Sequence, residues 1–456
     1  MTVVGLDDTD SREHGMCTTY VAASVAARLK REPSTTDQPN ERGDEPRLCL
    51  VRLNPAVEYK TRGNAALAIH TDCDPDRAFA VARERLESLA VTGDERTNPG
   101  LVVADCPLEF ASHEPTGSGS IPEDVVRFAR RAVREHLEID DAVSLIERHG
   151  YRSWSSGDGR GRIGALAAIG SWRGRSEWTY EHISYRNQNR WGTPRNVDVG
   201  SVFDAAEAGY PAAWDTVDRG ENEPVCVPHT PGPILYGIRG DDPETVRKVA
   251  RRIDGEPVAS SQLFVTNQGT DAHLQDGAIA DVRDGHAYRL EGRVASDPET
   301  RRGGHVFFDL VEPRNDADRS ANSTAGVDGP ILECAAFEPT KRFRDRIRAL
   351  RTGDRITACG EVSRGTLKLE KVAVRGLVTT ASVTPVCPDC ERTMESAGRG
   401  QGYRCRDCGT TASKKSVIGV ERDLENGWYE VPPCARRHIA KPLVRGGFDA
   451  PVHPER

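Results

Sequence analysis

The chain opens with the stretch Met1-Thr2-Val3-Val4-Gly5-Leu6-Asp7-Asp8-Thr9-Asp10-Ser11, in which a short apolar run ends in three aspartates. Residues 2–6 are predicted to form a strand. An alanine-rich segment at 18–30 then has the composition and spacing of a helix. Because strand-like and helix-like segments continue to alternate, the region is predicted to be an α/β domain.

The same alternation extends to about residue 150. A second strand is predicted at 48–53, after a polar insert at 32–45 that we expect to be a surface loop. Two further segments, 75–90 and 122–137, have helical spacing of apolar residues and a proline in the first turn. We therefore predict a first domain at 1–150.

Three further regions follow. Residues 151–278 include a strand, helix and strand at 234–238, 243–253 and 261–266, which is compatible with a ferredoxin-like domain. Residues 279–380 contain five predicted strands with a helix before the fourth, the order of an OB-fold β-barrel. Residues 381–456 hold two cysteine pairs and then a basic tail. The predicted fold class is multidomain, α/β and α+β.

Composition narrows the class of protein. The chain has 456 residues and a net charge of -8, and its basic residues are nine lysines and 53 arginines. We find no apolar stretch of the ~18 residues that a membrane span needs and no secretory signal, so we expect a cytoplasmic protein without a membrane partner. An acidic chain can still bind RNA through bidentate arginine contacts and stacking, which act at short range.

The most specific spacing is that of four cysteines. Cys387 and Cys390 form one CxxC pair, and Cys405 and Cys408 form a second one, with fourteen residues between Cys390 and Cys405. Four thiolates satisfy the tetrahedral preference of Zn²⁺ and leave no open position, so the predicted site is structural. The alternative is two thiol pairs without a metal. The other eight cysteines are scattered singly, unlike a disulfide framework.

The aspartates at the end of the first predicted strand are candidate magnesium ligands. Asp7, Asp8 and Asp10 would repel one another unless a cation lay between them, and carboxylate oxygens suit Mg²⁺. Thr18 and Thr19 lie where the next helix begins, and a helix N-terminus with hydroxyl groups can bind an anion. Together these features predict a nucleotide site. The alternative is that the aspartates form a solvated, helix-capping loop.

Two other segments are weaker candidates for phosphate contacts. Lys60 and Arg62, with Gly63 beside them, could reach phosphate oxygens, although an ordinary basic loop has the same composition. The glycine-rich segment 157–164 resembles a phosphate-binding loop but has no clear strand before it. Aromatic and arginine residues alternate in 180–186 and 190–195, which fits either base stacking or an ordinary core.

Several motifs, in order along the whole chain, resemble the archaeal agmatinylcytidine synthetases that act on isoleucine tRNA. They are Gly5-Leu6-Asp7-Asp8-Thr9-Asp10-Ser11, Gly15-Met16-Cys17-Thr18-Thr19-Tyr20, Lys60-Thr61-Arg62-Gly63-Asn64-Ala65, Ile163-Gly164-Ala165-Leu166-Ala167-Ala168-Ile169-Gly170, the segment from Tyr180-Glu181 to Tyr185-Arg186, and Phe264-Val265-Thr266-Asn267-Gln268-Gly269-Thr270. The resemblance implies ATP-dependent ligation of agmatine to the wobble cytidine of the CAU anticodon, through phosphorylation of its 2-oxo group. It also implies four domains, which are kinase-like, ferredoxin-like, OB-fold and zinc ribbon.

The resemblance assigns roles to residues. Asp7, Asp8 and Asp10 would hold Mg²⁺, and Thr18 would be a phosphorylated hydroxyl or a phosphate contact. The implied ATP-binding residues are Ser11, Thr19, Lys60, Arg62, Gly63 and Asn64. Glu181 and Asp198 are candidates for the cationic ends of agmatine, and the OB-fold and ribbon would bind the tRNA.

Two other functions compete with this one. An OB-fold followed by a zinc ribbon is also the layout of proteins that bind single-stranded nucleic acid. A stand-alone kinase could use the same magnesium and phosphate site, but it would not need domains that hold a large RNA. The sequence leaves open whether the protein forms a homo-oligomer.

Overall fold

The computed structural model describes residues 1–30, 46–58, 60, 63–106, 121–174, 177–312, 329–438 and 440–456. The predicted insert at 32–45 lies entirely outside these residues, and Arg62 lies outside them as well.

The first part of the chain alternates strands and helices as predicted. Its elements are β1 (Thr2–Asp7), α1 (Thr18–Leu29), β2 (Arg47–Arg52), β3 (Ala65–Thr71), α2 (Pro75–Leu89), β4 (Gly100–Asp105), α3 (Glu123–Arg134), α4 (Ile139–Arg148), β5 (Arg152–Ser155) and α5 (Gly161–Ser171). The predicted strands and helices of this part are confirmed to within a few residues. Among the described helices of the chain, none is both long and apolar enough to span a bilayer.

The second part contributes β6 (Thr179–Arg186), α6 (Val199–Gly209), β7 (Ala213–Trp214), β8 (Ile234–Gly240), α7 (Pro243–Ala250) and β9 (Val258–Thr266). Its strands extend the sheet of the first part. Over the described residues the sheet has nine strands in the order β5-β4-β1-β3-β2-β9-β6-β8-β7. The two parts join where β2 pairs in parallel with β9, so that Leu50 lies opposite Thr266.

Alternate residues of the central strands pack on opposite faces of this sheet. Val3 and Val102 are buried against α3 and α5 on one face. Val4 and Leu101 are buried against α1 and α2 on the other. Covering both faces buries every side chain in the middle of these strands, which explains why residues 2–6 read as an uninterrupted apolar run.

Helix α5 lies beyond residue 150 but packs against the first part of the sheet. A methyl group on Gly5 of β1 would lie 2.0 Å from the carbonyl oxygen of Ala165, so the helix rests directly on the strand. The sequence did not predict α5, because its glycines have low helix propensity. Every residue from 164 to 171 is buried, so the segment also lacks the one-sided apolar pattern of a surface helix.

The third part is a closed barrel. It comprises β10 (Leu274–Asp276), β11 (Ala287–Val294), β12 (Glu299–Thr300), β13 (Val306–Val311), β14 (Ile331–Ala336), α8 (Phe343–Arg348), β15 (Arg355–Ser363) and β16 (Thr366–Gly376). Strand β11 pairs with β13 and β15, β13 pairs with β14, and β16 joins β14 to β15. These pairings close five strands into a ring, and the predicted five-stranded barrel is confirmed.

The last part contains short strands: β17 (Thr380–Val383), β18 (Glu395–Ser396), β19 (Tyr403–Arg404), β20 (Thr411–Ala412), β21 (Ser416–Gly419), β22 (Gly427–Glu430) and β23 (Val452–His453). Strands β17 to β21 belong to the cysteine-containing module. In contrast, β22 pairs with β16 of the barrel, and β23 pairs with β22. Strands β22 and β23, which lie in the predicted basic tail, therefore extend the sheet of the barrel.

Candidate active site

A cavity of about 610 Å³ lies between the two parts of the large sheet and the C-terminal segment. Nine of the predicted site residues line it: Asp7, Asp8, Asp10, Thr18, Thr19, Lys60, Gly63, Asn64 and Glu181. Ser11 and Asp198 do not line it, and Arg62 is outside the described residues. Residues far apart in sequence thus meet in one cavity.

The three aspartates lie where β1 ends. Asp7 is the last residue of the strand, and Asp8 has a φ of 57°, so the extended backbone of β1 does not continue through Asp8. The backbone N–H of Asn98 donates a hydrogen bond to Asp8 Oδ2 at 2.9 Å. This bond fixes the Asp8 side chain beside the loop that precedes β4.

Burial makes the aspartates hard to ionise. It raises the pKa of Asp7 well above its usual value, and the neighbouring Asp8 raises it further. Burial also raises the pKa of Asp8 to about 7, although the Asn98 N–H partly opposes the shift. A bound cation would reverse these shifts, which fits a metal site. Among the described residues, however, the three carboxylates do not converge within 4.8 Å as a ligand set, so Mg²⁺ here stays a prediction.

The N-terminus of α1 lies at the same end of the cavity. Cys17 is its N-cap residue, and no side chain caps the first N–H groups of the helix. Thr18 and Thr19 are buried, and Thr9 Oγ1 donates to Thr18 Oγ1 at 3.1 Å. Uncapped N–H groups beside threonine hydroxyls can bind a phosphate. Ser11 is used differently, since its hydroxyl donates to Asp94 Oδ2 at 2.6 Å outside the cavity.

The glycine-rich segment 157–164 also lies at the cavity. The sequence showed no clear strand before this segment, but in the structure strand β5 precedes it. Its backbone is not open for a phosphate, because the N–H groups of Gly159, Gly161 and Ile163 already donate to protein carbonyls. The glycines instead permit close packing. A methyl group on Gly164 would lie 1.9 Å from Asp7 Oδ2, so only glycine leaves room for that carboxylate.

The predicted basic loop is only partly available for phosphate contacts. The side chain of Asn64 donates to the carbonyl oxygen of Asn54 at 2.6 Å, so it stabilises the loop. Gly63 packs closely against Arg52, whose Nη1 would lie 2.3 Å from an added methyl group. Burial lowers the pKa of Lys60, and Glu361 of the barrel opposes that shift.

The two candidate agmatine residues lie in different surroundings. Glu181 of β6 is buried at the floor of the cavity, where Arg239 Nε is 3.3 Å from Glu181 Oε1 and Arg52 Nη2 is 4.0 Å from Oε2. Asp198 is exposed and caps α6 by accepting a hydrogen bond from the Ser201 N–H at 2.6 Å. The structure therefore brings Glu181 to the cavity and leaves Asp198 outside it.

Sequence reasoning missed one wall of the cavity. The C-terminal segment contributes Pro433, Cys434, Arg436 and His438, and Arg52 and Arg239 complete the floor. Arg436 forms ion pairs with Asp215 and Glu430, which explains why this segment is fixed. No local motif marks these residues, because their role depends on how β22 returns to the barrel.

The predicted zinc ligands come together as a compact group. The sulfur atoms of Cys387, Cys390, Cys405 and Cys408 all lie within 4.8 Å of one another. The surrounding core is small and consists mainly of Cys387, Cys405 and Met394. So small a core needs the metal for its stability.

Comparison with known proteins identifies the family. The model of the TiaS TCKD domain matches residues 3–73 and 70–158, that of the TiaS FLD domain matches 159–273, and that of the TiaS C-terminal zinc ribbon domain matches 384–424. A relative from Haloquadratum walsbyi, the isoleucine-tRNA 2-agmatinylcytidine synthetase TiaS, is 51% identical over 480 residues, covering 100% of both chains. The chain belongs to the TiaS family. The resemblance found in the sequence is confirmed.

Two solved TiaS structures match the whole chain. The complex of TiaS with its isoleucine tRNA and ATP has a TM-score of 0.82 at 38% identity and covers 100% of this chain and 99% of that one. The complex of TiaS with the same tRNA, AMPCPP and agmatine has a TM-score of 0.79 at 36% identity, with the same coverage. The first of these TiaS complexes contains tRNA and ATP, and the second contains tRNA, AMPCPP and agmatine together.

The TiaS zinc ribbon leads to a first prediction. Cys387→Ser removes one of four ligands, so bound zinc should fall from about one per chain to nearly none and the ribbon should unfold. Zinc is measured by mass spectrometry, and limited proteolysis should then cut within 384–424 while leaving the rest of the chain intact. The matched control is Cys73→Ser, a half-buried single cysteine outside the ribbon, which should keep its zinc. Full zinc content in Cys387→Ser would exclude the site.

Proposed function

We propose that this protein joins agmatine to the 2-oxo position of the wobble cytidine in the CAU anticodon of isoleucine tRNA, at the expense of ATP. The observation that carries the proposal is the single cavity that brings the aspartates, the start of α1 and the arginine-lined floor together in a member of the TiaS family. The product would pair with adenosine and so permit decoding of AUA.

The chemistry proceeds in two displacements. The 2-oxo oxygen of cytosine attacks a phosphorus atom of ATP, and the bond from that phosphorus to its leaving oxygen breaks. The agmatine amine then attacks C2, the C2–O bond breaks, and the oxygen leaves with the phosphate while the nitrogen loses its proton. The first step is needed because the oxygen of a pyrimidine carbonyl is a poor leaving group.

In this proposal the carboxylates would bind the metal, and the helix N-terminus and Lys60 would contact the phosphates. Asp7, Asp8 and Asp10 would hold Mg²⁺, which would neutralise the phosphate charge of ATP. The N-terminus of α1, with Thr18 and Thr19, would orient the phosphates, and Thr18 is a candidate for phosphorylation. Lys60, which lines the cavity near Glu361 of the barrel, would contact the nucleotide from that side.

The domain assignments belong to the same proposal. For 151–278, a ferredoxin-like fold is supported by the element order β6-α6-β7-β8-α7-β9 and the strand order β9-β6-β8-β7. For 279–380, an OB-fold is supported by the ring of strand pairs and by α8 between β14 and β15. A kinase-like assignment for 1–150 rests on the resemblance. The barrel and ribbon would hold the tRNA.

The test uses purified protein with ATP, Mg²⁺, labelled agmatine and a tRNA transcript bearing the CAU anticodon. We expect about one agmatine per tRNA, with no incorporation when ATP is left out. The matched control transcript carries uridine at the wobble position and should accept no agmatine. Binding of tRNA without agmatine incorporation at any salt concentration would favour a nucleic-acid-binding protein. ATP turnover that needs neither tRNA nor agmatine would favour a kinase.

A further inference from the structure

Two arginines at the floor of the cavity share one carboxylate. Arg52 ends β2, Glu181 lies on β6 and Arg239 lies on β8; in the large sheet β6 and β8 are neighbours, and only β9 separates β2 from β6. The arginine side chains are each 12% exposed and that of Glu181 is 5% exposed. The carboxylate of Glu181 also accepts a hydrogen bond from Gln268. One carboxylate therefore faces two guanidinium groups in a largely buried position.

The other charges near the floor include two further carboxylates. Arg436, which also lines the cavity, forms ion pairs with Asp215 and Glu430, and Arg239 opposes the rise that burial causes in the pKa of Asp215. Arg52 is less well paired, because its Nη2 lies 4.0 Å from the nearest oxygen of Glu181. Burial lowers the pKa of Arg52; Glu181 opposes the shift, and Arg239 adds to it. A buried guanidinium with so distant a carboxylate is incompletely neutralised, so this part of the floor favours an anionic ligand.

Two polar atoms beside the arginines point to the same conclusion. Within the part of the chain that the structure describes, Arg52 Nε and His438 Nδ1 are buried and have no hydrogen-bond partner. The positive charge of Arg239, together with burial and Arg52, holds the pKa of His438 well below its usual value. The His438 ring is therefore neutral in a strongly positive environment, and a bound anion could accept hydrogen bonds there.

We infer that Arg52 and Arg239 form a phosphate-binding subsite that needs no metal and that holds the phosphate group displaced by agmatine. The assignment of that phosphate rests on the proposed function, whereas the binding of a phosphate anion does not. In the displacement step the C2–O bond breaks and the oxygen departs with the phosphate, so negative charge grows on the leaving group. Two fixed guanidinium groups would stabilise that charge and promote the departure.

This subsite is distinct from the aspartate end of the cavity. The three aspartates offer a free phosphate anion no positive partner unless a cation is bound, whereas the arginines attract it directly. The cavity thus has a carboxylate end for a metal-bound nucleotide and a guanidinium end for a released phosphate. The variants that test the inference act at one end or the other.

The experiment is a calorimetric titration of the full-length protein with inorganic phosphate, without Mg²⁺ and at constant KCl. We expect Arg239→Gln and Arg52→Gln each to weaken phosphate binding at least tenfold. Glu181→Gln should strengthen it several-fold, because it removes the competing carboxylate. Asp8→Asn should not weaken it. Zinc content and the far-ultraviolet circular dichroism spectrum show that each variant has folded.

Three results would overturn the inference. They are unchanged phosphate affinity in both arginine variants, a loss of phosphate affinity in Asp8→Asn equal to that in the arginine variants, and weaker phosphate binding in Glu181→Gln.

A second experiment tests whether the anion bound by the arginines is the displaced phosphate or a phosphate of the tRNA backbone. Arg239→Gln should slow agmatine transfer at least tenfold at saturating tRNA and leave the tRNA dissociation constant within twofold. A tenfold rise in that constant would instead assign the arginines to the tRNA backbone. The titration uses neither tRNA nor agmatine, so its outcome is independent of whether the proposed ligation occurs.

Discussion

Asp8→Asn should reduce the rate of agmatine incorporation by on the order of 10² to 10³-fold, the size of effect seen when one preorganised electrostatic contact to a transition state is removed. The substitution changes little else. Asparagine tolerates the φ of 57° at this position, and its side-chain oxygen can still accept the hydrogen bond from the Asn98 N–H. What is lost is the negative charge that would bind a cation beside the phosphates of ATP.

The matched control for Asp8→Asn is Asp105→Asn. Asp105 is exposed and pairs with Thr2 at the far end of β1, whereas Asp7 pairs with Gly100 at the cavity. Initial rates of labelled agmatine incorporation at saturating tRNA provide the measurement, and tRNA affinity should be equal in the two variants. A rate for Asp8→Asn within twofold of wild type would remove the aspartates from the mechanism.

Arg436→Met should lower the free energy of unfolding by about 3 to 5 kcal/mol, because it leaves buried carboxylates without their cation. The side chains of Arg436, Asp215 and Glu430 are 3%, 6% and 2% exposed, and Arg436 Nη2 lies 2.8 Å from Glu430 Oε1. Because methionine fills a similar volume, the decrease in the free energy of unfolding would come mainly from the missing charge. Denaturant unfolding measures this free energy.

The control for Arg436→Met is Arg127→Met on the exposed face of α3, where we expect a change within about 0.5 kcal/mol. Similar unfolding curves for the two variants would show that the C-terminal segment is not held by this ion-pair group. Since Arg436 also lines the cavity, its loss should reduce agmatine incorporation as well.

The cost of Arg436→Met should also depend on pH. Burial raises the pKa of Glu430 from 4.5 to about 7, and Arg436 opposes that rise. The folded protein therefore keeps a proton on Glu430 up to about pH 7, whereas the unfolded chain releases it near 4.5, so stability falls as the pH rises between these values. Without Arg436 the carboxylate is harder still to ionise. The destabilisation should accordingly be larger at about pH 8 than at about pH 5.

The sequence predicted those elements whose signal is local. Residues 2–6 and 48–53 are apolar because both faces of their sheet are covered, and the barrel strands follow one another closely along the chain. Helix α5 escaped prediction, since Gly161, Gly164 and Gly170 are selected there by close packing against β1, β4 and α3 and not by helix propensity.

The site was predictable only in part, for a related reason. Asp7, Asp8, Asp10 and Thr18 occur within twelve residues of one another, so their association could be read from one motif. Arg52 and Arg239 are separated by almost two hundred residues and meet only because β2, β9, β6 and β8 are successive neighbours in the sheet. Asp198 is the opposite case, because it stands near a candidate motif in the sequence but its carboxylate caps α6 outside the cavity.

The pairing of β16 with β22 has a consequence for the zinc ribbon. Val374 lies opposite Gly427, so the chain leaves the barrel and returns to it at adjacent positions, with the whole ribbon between them. Paired residues in antiparallel strands are about 5 Å apart, a gap that a short turn could bridge. The zinc ribbon is thus an insertion between two adjacent antiparallel strands, β16 and β22. The length and surface of the ribbon could therefore change during evolution without disturbing the barrel or the cavity. Such changes would alter how far the ribbon extends towards a bound RNA.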